Sequence, residues 1–98
     1  MEPTMPQNGP RITKEQIDGL LANSRWSDTK MGAKTTVVHL TLPNGFEIIE
    51  SSGCVDPANY DHKLGVEICR RRIVDKIWLL GGYRLACQIH DQKAVVPR

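Results

Sequence analysis

The sequence predicts one small α+β domain, a β-hairpin or small antiparallel sheet packed against a long amphipathic helix and a short N-terminal helix. Three observations predict it. "TTVVHLTL" and "FEIIE" flank the turn "PNG" at Pro43 to Gly45, the pattern of two strands joined by a tight reversal. Apolar residues from Val66 to Leu80 recur with the helical period. Thr13 and Gln16 stand three apart at the head of another apolar-periodic stretch, as a capping box requires. A chain of 98 residues supplies one core.

Taken in order, residues 1–11 hold three prolines and an Asn-Gly pair without apolar periodicity, and are expected to form a flexible tail. The domain is expected over 12–90, with a C-terminal tail at 91–98 ending in "AVVPR". Thr13 caps the first helix, Ile12 and Ile17 staple its start, and Leu20 and Leu21 continue its apolar face to about Asn23. "SRWSDTKMGAK" has no sustained period and reads as a connection, with Trp26 and Met31 folding back onto the core. In the next strand Thr36, Val38, Leu40 and Leu42 share one side, and Val37, His39 and Thr41 the other.

Gly53 releases the returning strand, and Asp56 followed by Pro57 is an N-cap and first-turn pair. Asp61 offers a second cap, at the positive end of the long helix. Val66, Cys69, Ile73, Ile77 and Leu80 form that helix's stripe, widened by Val74 and Trp78. Glu67, Arg71, Arg72, Asp75 and Lys76 form the solvated face. Gly81 and Gly82 are expected to stop the helix, and "YRLACQI" to form a further strand or a short helix.

Composition narrows the function classes. Apolar residues at 40% and charged residues at 24% exclude wholesale disorder. A formal net charge of +2 is too small to imply a nucleic-acid partner by itself. The longest apolar run, Ile77 to Leu80, cannot span a bilayer, and "MEPTMPQNGP" lacks the apolar core of a secretory signal. Three cysteines without an export signal read as reduced thiols, so an intracellular location is expected.

The run "LPNGFEIIESSGCVDPANYD", followed by Gly65 and by Lys76, Trp78, Leu80 and Gly82-Tyr83, resembles a family of small tailed-phage proteins. That family is typified by gene 49 of a coliphage and gene 66 of a Shigella phage, and the resemblance covers about residues 12–90. It implies phage or prophage origin and a compact α+β domain. It implies no established enzymatic activity and brings no catalytic residues, so candidate sites rest on local chemistry.

Cys54, His62, Cys69, Cys87 and His90 are potential metal ligands, but no Cys-x-x-Cys pair exists and Cys87-x-x-His90 stands alone, so neither a metal nor another cofactor is expected. Cys54 with His39 or His62 is the candidate for nucleophilic catalysis, a pairing that is specific only if the side chains meet. Arg70, Arg71 and Arg72 are consecutive and spread over roughly 200° of a helix, so Arg71, Arg72 and Lys76 can cluster while Arg70 turns to a flank toward Glu67 or Asp75. With Tyr60 as a stacking surface, these cations are the candidate binding residues. The expected function is therefore a non-enzymatic phage accessory protein that binds a host or host-defence protein. The alternative is a binder of a phosphate-bearing ligand, a nucleotide messenger or nucleic acid. Self-association through apolar groups that so small a domain cannot bury is a further expectation.

Overall fold

The computed structural model describes residues 9–94. Helix α1 (Lys14–Ala22) precedes three strands, β1 (Arg25–Met31), β2 (Thr35–Thr41) and β3 (Glu47–Gly53), then a 3-10 turn (Pro57–Asn59) and helix α2 (His62–Ala94). The sheet is antiparallel in the order β1-β2-β3, and α2 packs on β2 and β3.

Local signals work as read at most element ends. The Thr13 hydroxyl accepts from the Gln16 amide at 3.2 Å while Gln16 Oε1 accepts from the Thr13 amide at 2.9 Å. Two orphan donors of α1 are thereby satisfied. The reversal between β2 and β3 closes with Gly45 at φ 91°, which only glycine adopts without strain. Along β2, Thr36, Val38 and Leu40 are buried, and Leu42 just beyond the strand continues their side. They meet Ile48 of β3, Ile17 of α1, and Cys69, Ile73 and Ile77 of α2 in one core. Burial pushes the Cys69 thiol pKa up, with nearby Arg72 opposing the shift.

Three expectations are corrected. The stretch read as a connection after α1 contains β1, paired residue for residue from Arg25↔Thr41 to Met31↔Thr35. An edge strand with one covered side chain carries little hydrophobic alternation, which is why the period was missing. Trp26 does fold onto the core, but Met31 is exposed. Secondly, Gly81 and Gly82 do not end α2, which runs through them and through "YRLACQI" to Ala94. The helix thus extends over Asp91 to Ala94 of the expected C-terminal tail; the two valines beyond, and the tail before Gly9, lie outside the described residues. Finally, Trp78 does not complete the core stripe but is 39% exposed, and Leu80 is 42% exposed. The stripe sinks at Cys69, Ile73 and Ile77 and emerges where α2 outruns the sheet. A strand of seven residues spans about 23 Å and a helix of 33 about 50 Å, so much of α2 has no sheet beneath it.

Candidate functional site

The polar stretch between β3 and α2 is first of all a joint. The Asp56 carboxylate accepts from the Ala58 amide at 2.9 Å, Pro57 opens the 3-10 turn, and the Asp61 carboxylate accepts from the Leu64 amide at 3.1 Å. Gly53 ends β3, so all four joint residues take the structural places read for them.

What the sequence did not reveal is the side-chain chain built on this joint. The Tyr60 hydroxyl lies 2.7 Å from Thr36 Oγ1 and 2.7 Å from His62 Nδ1, and His62 Nε2 lies 2.7 Å from Asp28 Oδ1. The Asp28 carboxylate can only accept, so His62 Nε2 donates to it, and the Tyr60 hydroxyl bridges Thr36 Oγ1 and His62 Nδ1. Lys30 Nζ sits 4.8 Å from the Tyr60 ring centroid. The chain ties β1, β2, the joint and the first turn of α2 together. Gly65 admits it, since a Cβ there would stand 2.3 Å from Thr36 Oγ1. Its members are 34 residues apart in sequence at the extreme, and no local pattern joins them.

Cys54 lies beside this chain, its Sγ 3.3 Å from the Asp56 carbonyl, in a cavity of about 90 Å³ lined also by Lys34, Tyr60 and Leu64. His39 is bonded to Glu47 at 2.6 Å and His62 to Tyr60 and Asp28, so the cysteine–histidine pairing is not assembled. Among the described residues no three His, Cys, Asp or Glu side chains converge as a metal site would require.

The basic run is divided by the sheet on which it lies. The Arg70 guanidinium stacks 4.1 Å over Trp26, not on Glu67 or Asp75. Arg72 Nη1 donates to the Ser51 carbonyl at 2.9 Å, and Lys76 pairs with Glu50. Arg71 is exposed and makes no ion pair among the described residues. Tyr60 is held at the start of α2 by Thr36 and His62, away from the arginines, so the five candidate binding residues form no single surface.

An apolar groove opens where α2 passes the hairpin end of β3. Phe46, Ile49, Leu79 and Leu80 line it, Ile48 forms its floor, and Glu47 and Lys76 stand at its rim, around about 400 Å³. Phe46 is 52% exposed, Ile49 60% and Leu79 73%. Sequence reasoning assigned Leu80 to the core and passed over Leu79. The available signal was the apolar excess of "IWLL" over what one helix stripe can bury.

A short sheet backed by one overlong helix, with an apolar groove at its rim, defines a small single-domain α+β protein. The chain belongs to the phage protein (N4 Gp49/phage Sf6 gene 66) family, whose sequence model matches residues 12–89. No curated protein and no solved structure matches it. Most residues that carried the resemblance have visible structural work: Asp56 and Asp61 cap, Tyr60 anchors the joint, and Gly65 clears Thr36. Lys76 and Leu80 line the groove. Among the described residues no helix is long and apolar enough to cross a membrane.

Proposed function

We propose that this phage-family protein is an accessory protein that acts by binding a protein of the host, not by catalysis, and that the groove between Phe46, Ile49, Leu79 and Leu80 is its contact surface. The carrying observation is the exposure of Phe46, Leu79 and Leu80, three large apolar side chains around one concavity. Scattered exposed apolar residues are ordinary, whereas a concave cluster with a charged rim has the composition of a partner site. A phosphate ligand held by Arg71, Arg72 and Lys76 has less support, because β3 already engages two of those three cations. The small cavity at the joint is also below the roughly 300 Å³ at which ligand pockets begin.

The test is affinity capture from host lysate with the full chain, comparing the natural sequence with Leu79→Asp and Arg71→Glu at matched melting temperature. Loss of the captured protein with Leu79→Asp, and its retention with Arg71→Glu and at high salt, is expected of an apolar interface. Loss with Arg71→Glu and a steep salt dependence would instead support phosphate contacts.

A further inference from the structure

We infer that β1 is a self-association edge, pairing antiparallel with β1 of a second copy so that two three-stranded sheets become one continuous sheet. The order β1-β2-β3 leaves two edges, and they are treated differently. At β3, α2 intervenes: Arg72 donates to the Ser51 carbonyl and Lys76 pairs with Glu50. β1 packs chiefly on β2, and every residue of it except Trp26 is exposed. Its register with β2 is unbroken over seven residues, without proline or bulge, so its outer side presents a straight run of backbone donors and acceptors. Arg25, Asp28 and Lys30 are charges of the kind that blunt an edge against most partners, so β1 is open only to a strand that complements them.

The occupant is argued from charge. Two identical strands related antiparallel by a two-fold must have their axis perpendicular to the sheet, so residues opposite each other lie on the same face. Asp28 reaches His62 and Lys30 reaches Tyr60, so both belong to the face that carries α2. Centred on Thr29, the pairing sets Asp28 of each copy opposite Lys30 of the other, twice, with Thr29 facing Thr29 on the open side. Centred on Asp28 it would oppose two carboxylates, and on Lys30 two ammonium groups. Opposite charges and threonine pairs favour directly opposed positions, and like charges disfavour them, which selects the Thr29 register.

Sedimentation of the full chain should show a species of twice the 11.0 kDa of one chain. Lys30→Asp alone and Asp28→Lys alone each place like charges opposite and should weaken the dimer about tenfold. Mixing the two variants should restore it, because each new charge then meets its opposite. Thr29→Cys should form an intermolecular disulfide on mild oxidation. Ser27→Cys should not, its two copies lying about 13 Å apart, beyond the reach of a disulfide. These cysteine variants leave the Asp28 to Tyr60 contacts intact and so test the register even where a charge variant folds poorly. A monomeric natural protein, single variants that dimerise undiminished, a mixture that stays monomeric, or equal cross-linking at both cysteines would each overturn the inference.

Discussion

Gly65 sits at the closest approach of α2 to the sheet, and its missing Cβ is what allows that approach. A methyl there would lie 2.3 Å from Thr36 Oγ1 and 2.8 Å from Thr36 Cβ, and Thr36 is fully buried. Neither side can give cheaply, because Thr36 also holds the Tyr60 hydroxyl. Overpacking of this kind costs about 1–3 kcal/mol, more than the roughly 1 kcal/mol that alanine contributes as the better helix former. Gly65→Ala is therefore expected to lower the urea midpoint, and an unchanged midpoint would mean that the helix can slide off Thr36. The same residue shows why the tyrosine–histidine chain was invisible in the sequence. "NYDH" names Tyr60 and His62 as neighbours, but Thr36 and Asp28 reach them only through strand pairing.

At the scale of elements, α2 violates the rule that two glycines end a helix. Glycine terminates a helix when the chain benefits from a left-handed cap, yet Gly81 and Gly82 take no positive φ. Ile12 packs 3.8 Å from where a Gly81 Cβ would lie, and nothing lies within 4 Å of one at Gly82. Gly82→Ala should then raise stability by about 0.5–1 kcal/mol and increase the helical signal, opposite in sign to Gly65→Ala in the same helix. A drop in melting temperature would show that the position is needed open. The hairpin, the capping box and the central stripe of α2 were all legible, because each is set by residues within a few positions of one another. β1 was not, because an edge strand is specified by its neighbour: Arg25 to Met31 become a strand by pairing with Thr35 to Thr41.

For the whole molecule, the mismatch between a short sheet and a long helix governs what remains exposed. The groove lies where α2 emerges from the hairpin end of β3, and the unguarded edge lies at β1, across the sheet. These surfaces share no residue, so they should be separable. Leu79→Asp is expected to leave the dimer's sedimentation unchanged while abolishing capture of the host protein, and Lys30→Asp to do the reverse. Loss of both properties in Lys30→Asp would mean that partner binding requires the assembled pair of chains, and loss of both in Leu79→Asp that the groove itself holds the two copies together.

By itself the sequence determined the α+β class, the turn at Pro43 to Gly45, the caps at Thr13, Asp56 and Asp61, the buried positions of β2, and membership of a phage family. These follow from short-range rules, in which hydrogen-bonding side chains, turn residues and apolar spacing act over one or two turns of chain. Tertiary structure decided that β1 exists, that α2 continues past its glycines, and that Arg70 goes to Trp26 while Arg72 and Lys76 go to β3. It also decided that Phe46, Ile49, Leu79 and Leu80 share one groove. Each of those outcomes depends on which surfaces meet once the helix crosses the sheet, and contacts between distant segments leave no local period in the chain that makes them.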